Sequence, residues 1–484
     1  MNFVIKTLKC KFAIKLIAVK VINTPARVLF IGIFGSISCL NSAFAALPIE
    51  QWTQPSGAQV YLVQSPAIPM LDVQLDFDAG SRRDPADKAG LASVTAMMLS
   101  KGVKANVTSP ALDDNQLSEA WADLGASFGA SAGADRMGFS LRSLTYPDLL
   151  DKASELAARQ LGQPAMPSAI WLRERERIKA AIKEANTRPA TLAGRAFSQA
   201  VYGTHPYGYE TTEATLANIS VADMQATYAT QVQPCRAKVS IVGAVSKLQA
   251  DALVSKLLQH LPQSACSLLP PVGEVATLPQ AVDTRIAFNA AQAQVLVGQP
   301  GYKRDDPDFF ALLIGNQILG GGGFQSRLTQ EVREKRGLTY SVSSTFSPGS
   351  HAGAFTMGLQ TRPDQAAQAL QVSKDVLAKF VAEGPTELEL QAAKDNLIGG
   401  FALRIDSNRK LLDNVANIAW NTLPLTYLDT WTQRMAMVTT TQVKAAFQRK
   451  LQPQKMVTVV LGAAGAEGAG DDNGTAAKAG VRVQ

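Results

Sequence analysis

Histidine is nearly missing from this chain. Three occur in 484 residues, His205, His260 and His351, separated by 55 and 91 positions. No two therefore share a helical turn, which excludes the paired-imidazole metal sites that a local motif can build. Cysteine is also scarce. Of the four present, Cys10 and Cys39 precede residue 46, and no two have zinc-like spacing. No apolar run reaches the ~20 residues that span a bilayer as a helix. An excess of positive charge is missing too, despite a formal net charge of +7. Lys6, Lys9, Lys11, Lys15, Lys20 and Arg27 stand together before any acid, and without them 41 basic residues face 40 acidic ones. That near-neutral balance leaves no electrostatic footprint for nucleic acid.

What is present begins with an export signal. The basic segment leads into the apolar run Val28 to Leu40, then NSAFA-ALPIE, where Ala43 and Ala45 supply the small residues of a cleavage site. Residues 1–45 are therefore expected to be a signal peptide and the mature chain periplasmic, with anchoring by an uncleaved signal the lesser expectation. The whole chain is 46% hydrophobic and 18% charged, the make-up of packed globular protein. Its length predicts more than one core. Cys235 opens a strand-like stretch and Cys266 follows the helix-like run after it, so their ends can meet. Both a disulfide, in an oxidising compartment, and two free thiols fit that pattern.

The chain repeats itself. ISVADMQATYATQVQPCRAKVSIVGAV (219–245) and VTTTQVKAAFQRKLQPQKMVTVVLGAA (438–464) each read as a capped amphipathic helix, Gln-Pro, then a β-branched strand ending in Gly. LDVQLDFDAGSRRDPAD (71–87) and AQVLVGQPGYKRDDPD (293–308) each read as a strand followed by a charged Asp-Pro turn. Alternation in LDVQLDF predicts one buried face. The expected fold is α+β: two homologous domains, each a mainly antiparallel sheet with helices packed on it. Their ranges are 47–265 and 282–463, with a Pro-rich linker over 266–281 and a Gly/Ala-rich, disordered tail over 464–484.

Several stretches invite a catalytic reading that the order of elements opposes. LGASFGASAG holds two overlapping G-x-S-x-G matches, centred on Ser127 and Ser131. A nucleophile elbow needs a strand before it and a helix after it, and here the order is reversed. Small residues at a helix-to-strand turn explain the match. ILGGGGFQSRL (318–328) follows a helix and lacks the Lys-Ser/Thr of a phosphate loop; its glycines permit close backbone approach instead. His205, in YGTHPYGYET, reads as structural. By chemistry alone Arg333 is a solvated residue of a charged helix that closes at Gly337, and Tyr340 is a strand aromatic brought near it.

Taken together, AGSRR (79–83), GLASVTAMMLSKG (90–102), YGTHPYG, IVGAV and QILGGGGFQSRLTQEVREKRGLTYSVSS resemble, in order, signposts of the insulinase/pitrilysin family of zinc peptidases, in its bacterial two-domain form. Such peptidases use H-x-x-E-H on a helix, two imidazole ligands flanking a glutamate base. By that resemblance Ser93 and Met97 stand at the ligand positions and Ala96 at the base. The third ligand is a glutamate from a later helix, which corresponds to 171–189 and offers Glu174, Glu176 and Glu184 without fixing the register. The resemblance thus implies a chain with no zinc of its own, expected to lack hydrolytic activity when isolated. It further implies a non-catalytic subunit that pairs with a zinc-bearing paralogue and encloses a peptide or unfolded polypeptide. Arg333 and Tyr340 would serve the partner's active site, with Gly320, Gly321, Gly322 and Gly323 along the peptide path. A homodimer, a stand-alone peptide-binding or scaffold protein, and a hydrolase using unconventional residues remain open alternatives.

Overall fold

The computed structural model describes residues 48–262 and 266–462. The expected signal peptide and the Gly/Ala-rich tail lie outside them. Among the described residues, no helix is long and apolar enough to cross a membrane.

Among the described residues, eleven strands form two sheets. The first contains β1 (Glu50–Thr53), β2 (Gln59–Gln64), β3 (Met70–Phe77), β4 (Ser127–Ala132), β5 (Met137–Leu144) and β6 (Lys238–Gly243), in the order β1-β2-β6-β3-β5-β4. The second contains β7 (Val282–Ile286), β8 (Ala293–Tyr302), β9 (Ser341–Phe346), β10 (Gly353–Thr361) and β11 (Val457–Leu461), in the order β7-β11-β8-β10-β9. Apart from β1, the two orders superimpose. Each has one parallel pair, β2 with β6 and β7 with β11, and antiparallel pairs throughout the remainder. The repeated helix before each parallel strand is capped alike. Ser220 accepts from the Asp223 amide at the start of Val221–Gln231, and Thr439 from the Gln442 amide at the start of Thr440–Lys450, each as half of a capping box.

The halves are tied by a reciprocal exchange of helices. Pro189–Tyr202, from the first half, lies on β8 and β11 of the second sheet, where Ala193, Phe197 and Val201 pack with Val457, Val459 and Leu461. Asn408–Trp420, from the second half, lies across β6 and β3 of the first sheet. Side chains alternate accordingly along the central strands. In β2, Val60 and Leu62 join the first half's core, while Tyr61 and Val63 join the core that contains Leu412 and Val415. Gly298 makes the exchange possible: a Cβ there would lie 2.8 Å from Phe197 Cζ and closer still to the Phe355 carbonyl.

This exchange corrects the single buried face expected of LDVQLDF. The polar residues of β3 are buried as well, Asp72 and Asp76 each 1% exposed. The crossing helix covers that face, and arginines of β5 and its turn neutralise the acids. Arg142 donates to both oxygens of Asp72, at 2.7 and 3.2 Å, and Arg136 to Asp76 at 2.8 Å. Burial still pushes the Asp76 carboxyl up.

Cys235 and Cys266 are joined by a disulfide with Cα atoms 6.2 Å apart. It pins the start of the irregular segment between the halves beside the first turn of the strand-like stretch that leads to β6. From there, Arg83 donates to the Pro270 carbonyl at 2.9 Å.

Candidate functional site

The helix Leu91–Met98 forms where Asp84, arriving from the charged turn, accepts the amides of Gly90 and Ala92 at 2.9 and 3.0 Å. These amides are the unpaired donors of a helix start. Burial dominates at that carboxyl and raises it to about 6. Gly90 has φ +102 and closes the turn in the left-handed region. The helix buries Leu91, Ala92, Val94, Thr95, Ala96 and Met98. Ser93 is exposed and Met97 half-buried, so the two positions expected to match the metal ligands share the outward face, one turn apart. Ala96 is inside, with no acid to offer as a base.

The structure picks out one glutamate of the later helix. In Ser168–Ala185, Glu174 is 6% exposed, whereas Glu176 and Glu184 are exposed. Arg177 Nε donates to Glu174 Oε2 at 2.7 Å, Arg173 Nη2 to Oε1 at 3.3 Å, and Lys101 Nζ stands 3.9 Å from Oε1. The hydrogen bond from Arg177 is the main force holding the Glu174 carboxyl below its usual range. Arg177 Nη2 also reaches the Met97 sulfur at 3.9 Å. Among the described residues, no group of three or more His, Cys, Asp or Glu side chains converges on a point. Hydroxyl, thioether and one carboxylate already held by guanidinium do not fit zinc, which takes Cys, His and carboxylate donors.

Beside this face runs β4, an edge strand of the first sheet. Ser127 and Ser131 lie within it rather than at a helix-to-strand turn, so the small-residue stretch is itself a strand. A Cβ at Gly129 would meet nothing within 4 Å.

The second candidate site lies in the other half. Helix Phe309–Asn316 runs into a π-helical turn, Gln317–Gly321, and a second one covers Thr329–Glu334. Such turns bulge a helix and re-aim its side chains. Gly337, at φ +62, then receives the Arg333 carbonyl: its amide donates at 2.8 Å and the chain turns toward β9. Arg333 and Tyr340 are thereby brought together, the guanidinium carbon 5.1 Å from the ring centre. The guanidinium carbon also lies 4.9 Å from the Phe324 ring centre. This cation thus has two aromatic rings within about 5 Å, both exposed, Tyr340 by 79% and Phe324 by 65%. Composition flagged neither Phe324 nor Arg177. The only sequence signal for Arg177 is its place three residues after Glu174 in a run of alternating charge.

The four glycines divide. Gly320 is buried, and a Cβ there would lie 2.5 Å from the Ser344 amide of β9, so its smallness serves the chain's own packing. Gly322 and Gly323 border a groove of about 500 Å³ with Phe324, Leu388 and Asn396.

His205 and His351 meet at the seam between the halves, ring centres 5.1 Å apart. His205 Nδ1 accepts the Tyr207 amide at 3.1 Å, and its Nε2 faces the Gly273 carbonyl at 3.0 Å. His351 Nδ1 lies 3.2 Å from Glu274. Tyr207 donates to Asp135, which also pairs with Arg82.

Comparison with known proteins bears on both sites. The description "Insulinase (Peptidase family M16)" matches residues 59–215, and "Peptidase M16 inactive domain" matches residues 218–397. An uncharacterized zinc protease of Mycobacterium leprae is 26% identical over 85% of this chain and 91% of its own. A non-peptidase homolog of Helicobacter pylori, YmxG, is 24% identical over 83% of this chain and 90% of its own. Among solved structures, a peptidase M16 inactive domain from Pseudomonas fluorescens is 34% identical, with a TM-score of 0.81 over 87% of this chain and 99% of that one. A protease from Helicobacter pylori shares the fold at 20% identity, with a TM-score of 0.77 over 86% of this chain and all of its own. With the strand order and the sequence signposts, these matches establish that the chain belongs to the insulinase family, peptidase family M16.

Proposed function

We propose that the chain is a non-catalytic subunit of a periplasmic peptidase, which encloses peptide with a zinc-bearing paralogue and lends that partner Arg333 and Tyr340. The observation that carries this reading is the exposed Tyr340 ring stacked on Arg333. The inactive-domain and non-peptidase descriptions of relatives support the reading. Tyr340 would donate its hydroxyl hydrogen to the oxyanion that develops on the scissile carbonyl. Arg333 lies beside the ring, with Nε 3.4 Å from Glu334, and its guanidinium would hold the peptide backbone. The open edge of β4 can take up an extended peptide as an added strand, with small side chains keeping the approach clear.

Purified alone, the protein is expected to cleave no peptide, and to raise turnover when mixed with a paralogue carrying H-x-x-E-H. Tyr340→Phe should lower that turnover by about two orders of magnitude, the usual cost of losing an oxyanion donor. Arg333→Ala should lower it too, while size-exclusion profiles of both mixtures stay unchanged. Full turnover with both variants refutes the assigned role. The free β4 edge beside an emptied face also suits a peptide-binding protein that works without a partner. Retention of extended peptides by the isolated chain, with no stimulation of any paralogue, would favour that reading.

A further inference from the structure

The duplication gives the second half a counterpart of the Leu91–Met98 face. Leu91–Met98 and Phe309–Asn316 each follow the repeated Asp-Pro turn, and Ser168–Ala185 and Glu387–Gly399 are each the second long helix after the strand beside the sheet's edge. Where the first half has Ser93, Met97 and Glu174 on these elements, the second has the groove of about 500 Å³. The polar groups in its lining are already engaged. Gln317 Nε2 donates to Asn396 Oδ1 at 3.1 Å, and Arg327 donates to both oxygens of Glu389 at 2.7 Å. Its rims are apolar and exposed, Phe324 on the glycine-rich side and Leu388, 82% exposed, on the helix side. Leu388, Ala392 and Asn396 recur every four residues, so one exposed face of Glu387–Gly399 lies along the groove. Neither rim belongs to the core, and two large apolar side chains bordering one open groove mark a binding surface.

Phe324 links the groove to Arg333. The guanidinium carbon is 4.9 Å from the Phe324 ring centre and 5.1 Å from that of Tyr340, so the two rings are at most about 10 Å apart. An extended chain advances ~3.3 Å per residue, which makes that gap about three residues of peptide. We propose that the groove is a specificity pocket, taking a large apolar side chain of the peptide within about three residues of the carbonyl that Tyr340 meets. Seating that side chain against Phe324 and Leu388 removes apolar surface from water on both partners. A charged side chain finds no free opposite charge there, since Arg327 already neutralises Glu389. The inference rests on the peptide-enclosing role proposed above and names its substrate class, extended peptides with a bulky apolar residue near the bond to be cut.

The test is titration of the full-length chain, without any paralogue, by two fluorescein-labelled Gly/Ser peptides that differ in one central residue, Phe or Ser. Anisotropy should show the native chain favouring the Phe peptide by about 10-fold, the order of discrimination an apolar pocket gives. Leu388→Asp should remove that preference. Leu248→Asp, at an exposed leucine of Lys247–Leu258 in the other half, should leave it intact. With benzoylphenylalanine in place of the Phe, irradiation should attach the peptide within 317–325 or 388–396. Thermal melts and size exclusion confirm folding and oligomeric state of each variant. Equal affinity for the two peptides overturns the proposal, as does a preference that survives Leu388→Asp or a cross-link elsewhere. A native dimer that Leu388→Asp dissociates overturns it too, because a second copy then fills the groove. Turnover of Tyr340→Phe with a zinc-bearing paralogue reads the parent role separately, so either can fail alone.

Discussion

The two halves share one strand order and one set of caps, and each packs a borrowed helix by apolar contact, but only the first sheet adds charge at the helix end. On the second sheet, Pro189–Tyr202 is fixed by apolar contact, Phe197 pressing into the space left by Gly298. On the first sheet, Asn408–Trp420 is fixed at its C-terminal end by charge. Lys238 Nζ donates to the Ala419 and Trp420 carbonyls at 2.8 and 3.1 Å, and Arg136 stands 5.6 Å from the centre of the Trp420 ring. Their chemical surfaces differ in the same way. The first half presents Ser93, Met97 and the guanidinium-paired Glu174, while the second displays a cation beside two aromatic rings. Duplication copied the frame and left the fastenings free to diverge.

That contrast can be broken. Phe197→Ala should cost about 3 kcal/mol of unfolding free energy, the low end for a buried phenylalanine, because Gly298 cannot fill the space. Denaturant unfolding would show it; a loss below about 1 kcal/mol would mean that charge fastens this helix too. Lys238→Met removes two hydrogen bonds to carbonyls at a helix C-terminus and should cost about 1 kcal/mol. If it costs as much as Phe197→Ala, the two fastenings are equivalent after all.

The smallest expected effect is pH-dependent and sharpens the picture of the seam. Burial, followed by the neighbouring His351, lowers the His205 pKa below its ordinary value; Glu274 opposes this shift, Arg82 adds to it, and Tyr207 and Asp135 complete the surroundings. The unfolded chain takes up a proton near pH ~6.5 while the folded chain resists it. Below that pH the unfolded state therefore binds more protons, and stability falls as pH falls. Melting temperatures at pH 7.5 and 5.5 should differ less for His205→Gln than for the native chain. An unchanged difference would remove His205 from the seam's acid response.

Much of this arrangement could be read in advance, and the remainder could not for definite reasons. The likeness of the two halves followed from the repeat, since local patterns such as QPCRAKVSIVG and QPQKMVTVVLG carry their own caps, turns and β-branched runs. The helix exchange was invisible because periodicity reports which residues of Pro189–Tyr202 are apolar, not which sheet they meet. Asp72 and Asp76 misled for the same reason: their partners, Arg142 and Arg136, lie some 60 to 70 residues away in sequence. Glu174 could not be chosen from RERER because its two glutamates, two positions apart, look alike until burial separates them. Phe324 was obscured by its setting in a glycine-rich loop.

The crossing of Asn408–Trp420 onto the first sheet also bears on synthesis. While the chain emerges from a ribosome, β2, β3 and β6 are complete roughly 165 residues before the helix that shields one of their faces has been made. Through that interval an apolar surface formed by Tyr61, Val63 and Val242 has no native cover. Long-range closure of this kind is slow and exposes adhesive surface. A truncation ending near residue 262 should accordingly emerge as a chaperone client and not as a free-standing domain.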